Sequence, residues 1–199
     1  MSDKLKGALK SLYSASVNEN SYYRENIKEL LKTAGRKKPK KALYSAAFLD
    51  EGSREDLYNW WKMHVKEELL DRVPKHSHMT IKFRPSEEEV LAIPIGEDAD
   101  KTVTVVGFAH DSMGQAVQVR VSDASIERQD GGIAHITISA SEDAPMGFAY
   151  SNELLSQGIE EVQSGPELAV KVGLFLTNGK VAYSLDGTIY EDEDIEIEI

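Results

Sequence analysis

Two short segments of the same form, HMTI at residues 78–81 and HITI at residues 135–138, decide how this sequence folds. Each segment has a histidine and a threonine two positions apart, and an apolar residue follows each of them. In a β-strand, residues i and i+2 point to the same face of the sheet. Each segment therefore predicts a strand that presents a His–Thr pair on one face and buries its apolar residues on the other.

The residue types in these pairs suit chemistry at phosphorus. Imidazole titrates near neutral pH, so one histidine can accept a proton while the other donates one. If the two strands lie in neighbouring sheets, the two imidazoles and the two hydroxyls converge on one cleft. They can then promote in-line displacement without a metal or another cofactor, with the hydroxyls holding the phosphate oxygens. The candidate catalytic residues are His78, Thr80, His135 and Thr137.

The repetition of the pattern matters, because a single His-x-Thr tripeptide would be weak evidence. Threonine is common in strands and histidine is often a packed residue. A competing interpretation is a zinc site built from His76, His78 and His135. Only His78 has a threonine two residues later, so we prefer it to His76 as the catalytic histidine of the first segment.

Outside these segments, the sequence predicts strands joined by tight turns, with a few helices. One helix is predicted to begin at a capping box at Ser53 and to extend to about Arg72, and another to begin at Ser151. The Asn178–Gly179 pair predicts a hairpin. Strands are expected at residues 42–49, 76–83, 102–110, 115–121, 133–140, 168–176 and 180–190. This mixture favours an α+β fold over a doubly wound parallel sheet.

The charge of the chain is unevenly distributed. The 199 residues carry a net charge of -11, yet residues 1–41 hold eleven lysines and arginines and only four acidic residues. We therefore expect a basic helical extension and linker at residues 1–40, a main domain at residues 41–190 and an acidic tail at residues 191–199. The basic residues 1–41 could contact RNA, although a solvated basic helix explains them equally well.

Several classes of protein and site are excluded or disfavoured. The absence of cysteine excludes a disulfide framework and a thiol nucleophile. No apolar run is long enough to span a membrane, and the polar N-terminus predicts a cytoplasmic protein, in the host cytoplasm if it is viral. The sequence also lacks a glycine-rich phosphate loop ending in Lys-Ser/Thr, a Gly-x-Ser-x-Gly and a His-Glu-x-x-His motif.

The paired segments resemble the signature of the 2H phosphoesterase superfamily, which includes the bacterial RNA 2′,5′-ligase-like proteins. HSHMTIKF at residues 76–83 and HITIS at residues 135–139 are most similar to its tRNA-ligase-type cyclic phosphodiesterase and phage branches. The resemblance covers residues 41–190. It implies a bilobal α+β fold with pseudo-twofold symmetry, two mainly antiparallel sheets and flanking helices. It also implies an acid–base pair of His78 and His135, phosphate binding by Thr80 and Thr137, and no metal.

The activity that this resemblance implies is hydrolysis of 2′,3′-cyclic phosphates or related linkages, at RNA ends or in small nucleotides. Two alternatives stay open. One is a phage-type nuclease that degrades cyclic or 2′,5′-linked oligonucleotide immune signals, and the other is a non-catalytic module that binds nucleotides or RNA. The acidic main domain favours a short substrate over long RNA.

Four further residues are predicted to contact the substrate. Lys82 shares the face of Thr80 and could add positive charge near a phosphate. Tyr44 could stack on a base, although it could also pack in the core. Tyr150 and Ser151 follow the second segment, where the N-terminus of a helix could face a phosphate, the alternative being simple capping of that helix by Ser151 or Asn152.

Overall fold

The computed structural model describes residues 42–96 and 101–184, and these belong to one compact unit, residues 40–189. The described part contains the strands β1 (Ala42–Leu49), β2 (His78–Phe83), β3 (Thr102–His110), β4 (Gly114–Val121), β5 (His135–Ala140), β6 (Glu160–Glu161), β7 (Glu167–Leu176) and β8 (Val181–Ala182). Its α-helices are α1 (Glu51–His64), α2 (Glu87–Ala92) and α3 (Tyr150–Ser156). The predicted basic extension and its RNA contact, and the predicted acidic tail, lie outside the described residues.

All eight strands belong to one antiparallel sheet, in the order β6-β3-β4-β5-β2-β1-β7-β8. A further pairing of β3 with β7 closes six of these strands into a ring. The predicted α+β class, with mainly antiparallel strands and flanking helices, is confirmed. The two sheets that the resemblance implied are continuous here, because β2 and β5 pair directly through Met79 and Ile136.

The main core lies on one face of this sheet. It takes alternate residues from every strand of the ring, and α1 covers it with Leu57, Trp60 and Trp61. The strands contribute Ala47, Met79, Ile81, Val103, Val105, Val117, Val119, Ile136, Ile138, Leu168, Val170 and Val172. Because side chains alternate along a strand, the intervening residues of β2 and β5 lie on the opposite face.

Helix α1 differs from its prediction at both ends. Its N-cap is Asp50, whose side chain accepts a hydrogen bond from the backbone N–H of Ser53 at 2.7 Å. The helix ends at His64, and Lys66 then has a φ of 64°. That left-handed conformation cannot continue an α-helix. The chain beyond it is irregular, and Arg72, which was expected to be helical, instead forms an isolated bridge to β5.

The predicted hairpin at Asn178–Gly179 is confirmed, since this turn joins β7 to β8 and Gly179 has a φ of 77°. Glycine adopts that conformation without steric penalty. None of the helices in residues 42–96 and 101–184 is long and apolar enough to cross a membrane.

Candidate active site

Strands β2 and β5 bring the two His–Thr pairs together. The two strands run antiparallel with Met79 opposite Ile136. The pairing is confined to these two residues, and extending its register by one residue would place His78 opposite Thr137 and Thr80 opposite His135. A local twofold axis at the Met79–Ile136 pair therefore relates the two motifs. Typical strand geometry places diagonal neighbours such as the two histidines about 7–8 Å apart.

Buried apolar side chains hold this register. Met79, Ile81, Ile136 and Ile138 all point into the main core with no exposed surface. Burying a side chain of this size contributes about 1.5–3 kcal/mol to stability. A slip of one residue would expose these side chains and bury the histidines instead. The face that carries the four polar groups is thus set by the core on the other face.

Both imidazoles are oriented by the same local contact. Nδ1 of His78 lies 2.8 Å from the backbone oxygen of His76, and Nδ1 of His135 lies 2.8 Å from that of Ile133. A carbonyl oxygen can only accept a hydrogen bond, so Nδ1 is the protonated nitrogen of each ring. In the neutral imidazole, Nε2 is then the basic nitrogen. Each Nε2 can take a proton from a reacting group or, once protonated, return one.

The surroundings lower the pKa of both histidines. Burial is the main cause at His78, with a smaller contribution from the nearby His76 charge, while the His76 carbonyl acts in the opposite direction. Burial is also the main cause at His135. The charges of Arg128 and His78 lower that pKa further, whereas the Ile133 carbonyl and Asp130 raise it. The two imidazoles are therefore close enough for protonation of one to oppose protonation of the other.

An aromatic stack packs against His78. The ring of Tyr44 is nearly parallel to this imidazole, with centroids 4.8 Å apart, and is also stacked on Phe175 at 5.0 Å. Phe48 lies 5.4 Å from the same imidazole. Burial raises the pKa of Tyr44 to about 12, so its hydroxyl stays protonated. The structure thus places Tyr44 against the candidate catalytic histidine, and its stacking on a base stays a prediction.

Ser151 is the predicted residue that contacts the His–Thr group through a hydrogen bond. Its Oγ lies 2.9 Å from Oγ1 of Thr137, and the residue is only 2% exposed. Ser151 is the second residue of α3. This contact holds the Thr137 hydroxyl beside Ser151, and either oxygen can be the donor. Helix α3 is thus joined to the face that carries the motifs.

Lys82 and Tyr150 have other partners. The ammonium of Lys82 pairs with Glu89 of α2 at 3.1 Å, which offsets its charge beside Thr80. The hydroxyl of Tyr150 donates to Asp111 at 2.7 Å, and its ring is buried in a small cluster with Leu154. Neither contact brings these residues to the His–Thr group, and their contact with a substrate stays a prediction.

Arg128 lies next to the site although no sequence pattern singled it out. Its Nε and Nη2 contact both carboxylate oxygens of Asp130, at 2.6 and 3.0 Å. Its Nη1 donates to the backbone oxygen of Ile133 and to Oδ1 of Asn152, both at 2.9 Å. Nη1 also lies 3.2 Å from Nδ1 of His135. With Nδ1 protonated, the guanidinium and the imidazole both donate to the Ile133 oxygen.

The sequence signal nearest to Arg128 is a predicted turn, which does not by itself identify the arginine. The Asp130-Gly131-Gly132 stretch predicts a turn, and a Cβ atom on Gly132 would lie 2.7 Å from Cζ of Arg128. The absence of a side chain at Gly132 makes room for the guanidinium. Only the folded loop shows which side chain uses that room.

No group of three or more histidine, aspartate and glutamate residues in the described ranges is arranged to hold a metal ion. The alternative zinc site would need His76, His78 and His135 to converge, and they form no such group. Nδ1 of both motif histidines is directed at a backbone carbonyl instead.

The comparisons with known proteins add little to this geometry. No protein-family model matches the sequence, and no curated protein matches it. Among solved structures, a fungal RNA kinase is similar over 89% of this chain, with 14% sequence identity and a TM-score of 0.44. This chain spans 57% of the length of that protein. A similarity this weak does not indicate a function for this chain.

Proposed function

We propose that this protein is a metal-independent phosphodiesterase that hydrolyses a 2′,3′-cyclic phosphate or a related linkage at an RNA end or in a small nucleotide. The observation that supports the proposal is the pair of twofold-related histidines on one face of β2 and β5. Each has Nδ1 held by a backbone carbonyl and Nε2 as its basic nitrogen. Acid–base catalysis at phosphorus needs two such groups, and a binding module does not.

The proposed reaction uses both imidazoles. Nε2 of one histidine takes a proton from water as the water oxygen forms a bond to phosphorus. The bond from phosphorus to one ribose oxygen breaks, and the other histidine, which begins protonated, gives its proton to that oxygen. Hydroxyl groups of Thr80 and Thr137 bind the nonbridging oxygens, where negative charge is concentrated. The two histidines exchange protonation states in each turnover, and solvent restores them.

The activity test uses purified protein with EDTA and a 2′,3′-cyclic mononucleotide. We expect turnover by the unmodified protein and a loss of about 10²–10⁴-fold in the variants His78→Asn and His135→Asn. His110→Asn is the matched control, because His110 is an exposed histidine at the end of β3. Circular dichroism verifies that each variant is folded. Unchanged turnover in both motif variants would remove the proposal.

The second candidate activity, cleavage of cyclic or 2′,5′-linked oligonucleotides, would use the same four residues. A substrate panel separates the two activities. It contains a 2′,3′-cyclic mononucleotide, a 2′,5′-linked oligoadenylate and a cyclic dinucleotide, each compared by kcat/KM. Tight binding of any of them without product would instead indicate the non-catalytic module.

A further inference from the structure

The two halves of the site are related by a local twofold axis, yet the contacts that orient the two imidazoles differ. Each imidazole donates its Nδ1 proton to a carbonyl two residues earlier. At His135 this carbonyl belongs to Ile133, and it also accepts a hydrogen bond from Arg128 at 2.9 Å. The groups that act on His78 are the His76 carbonyl and the His76 side chain, with no arginine among them.

We propose that Arg128 is a positioning residue for His135. It binds the Ile133 oxygen that accepts the imidazole proton and so fixes the ring with Nδ1 protonated and Nε2 basic. The same guanidinium reaches Asn152 of α3 and thereby joins the loop before β5 to the helix that carries Ser151. Only the effect of Arg128 on turnover rests on the proposed function, because its effect on the imidazole exists without a substrate.

The contacts of Arg128 argue against a direct role in binding phosphate. Every nitrogen of the guanidinium has a partner, and the side chain is only 13% exposed. The carboxylate of Asp130 occupies the Nε/Nη2 edge in the paired geometry that a phosphate would otherwise use. The backbone of Gly132 passes close to the guanidinium, since a Cβ atom there would lie 2.7 Å from its carbon. Arg128 therefore acts through His135 and does not touch the reacting atoms.

The charges around His135 predict in which direction its pKa changes when each charge is removed. Arg128 and His78 lower the pKa of His135, and Asp130 raises it. The neighbouring residues Gln118 of β4 and Asn152 of α3 are uncharged. Removing the arginine charge should therefore raise the pKa of His135, whereas removing the Asp130 charge should lower it. A purely structural loss would move the pKa in the same direction in both variants, toward that of exposed imidazole.

The test is a titration of His135 by ¹⁵N NMR, without substrate, in the intact chain and in Arg128→Met and Asp130→Asn. The ¹⁵N shifts report both the pKa and which ring nitrogen holds the proton. We expect opposite pKa shifts in the two variants and a mixture of tautomers in Arg128→Met. Arg120→Met is the matched control, because Arg120 is exposed on the adjacent strand β4 and should leave His135 unchanged. Unchanged titration and tautomer in Arg128→Met would overturn the proposal.

If Arg128→Met does not fold, Arg128→Lys is the variant to use in the same titration. It keeps the positive charge but lacks the planar group that spans Asp130 and Ile133. We expect it to retain the lowered pKa and to lose the fixed tautomer, and retention of a single tautomer would count against the proposal.

Kinetics provide the second measurement. A misplaced catalytic group reduces kcat by about 10–100-fold, and KM for a cyclic mononucleotide should stay nearly constant in Arg128→Met. A rise in KM alone would identify Arg128 as a phosphate ligand and refute the positioning role. If the unmodified protein shows no turnover while the NMR shifts appear as expected, the proposed function fails and the role of Arg128 stands.

Discussion

Replacing Tyr44 tests whether the aromatic stack controls His78. Tyr44→Ala removes two nearly parallel ring contacts, with centroids 4.8 Å from His78 and 5.0 Å from Phe175. Each aromatic contact contributes about 0.5–1.5 kcal/mol beyond burial, and truncating a fully buried aromatic ring costs about 3–5 kcal/mol. Because Tyr44 is half-buried, we expect a loss of about 2–4 kcal/mol in the free energy of unfolding.

The same change should alter how His78 titrates. Burial is the main cause of the lowered pKa of His78, and loss of the tyrosine ring admits water to that imidazole. Its pKa should therefore rise toward 6.5, the ordinary value for imidazole. Since the base must be neutral to accept a proton, a base of higher pKa is already protonated at a higher pH. The acidic limb of the pH–rate profile should then move to higher pH if His78 is the base.

The assay combines urea unfolding with a ¹⁵N NMR titration of His78 and the pH dependence of kcat/KM. Tyr44→Phe is the control, because it keeps the ring and removes only the hydroxyl. It should retain the stability and the pKa of His78. If Tyr44→Ala unfolds at a lower urea concentration but leaves the pKa of His78 unchanged, the aromatic stack does not control the titration of His78.

Two further predictions concern the other parts of the site. Both motif histidines have a lowered pKa in the folded chain, so the unfolded chain binds protons first as the pH falls below 6.5. Their contribution to the free energy of unfolding is complete above that pH and is lost as the pH falls toward their pKa values in the folded chain. Urea unfolding between pH 5 and 8 should therefore show a stability that decreases as the pH is lowered. A pH dependence no smaller in His78→Asn would contradict this prediction. Gly132→Ala should reduce kcat as Arg128→Met does, because its Cβ would lie 2.7 Å from the guanidinium carbon. Gly131→Ala has no heavy atom within 4 Å but a φ of 73°, so it should cost about 1–3 kcal/mol of stability without changing the His135 tautomer, and equal kinetic effects of the two variants would argue against the contact.

Some site contacts could not be predicted from the sequence, because they join side chains from separate elements. Tyr44 reaches His78 only because β1 and β2 are neighbours with Phe48 opposite His78. Arg128 reaches the Ile133 carbonyl through the conformation of an irregular loop. The capping box predicted at Ser53 for α1 is wrong for a related reason, because the side chain of that serine contacts a separate element. Ser53 has a second partner, since its hydroxyl accepts a hydrogen bond from the backbone N–H of Ala169 on β7.

The sequence by itself determined that β2 and β5 are strands with a polar and an apolar face. Alternation is a property of the extended backbone, so HMTI and HITI already separate the His–Thr pairs from Met79, Ile81, Ile136 and Ile138, which the structure buries. Only the tertiary structure decided that these strands are direct neighbours in one sheet and that Arg128 adjoins one histidine but not the other. Pairing and loop contacts depend on the free energy of burying the whole ring of strands around one core, and no local pattern encodes that quantity.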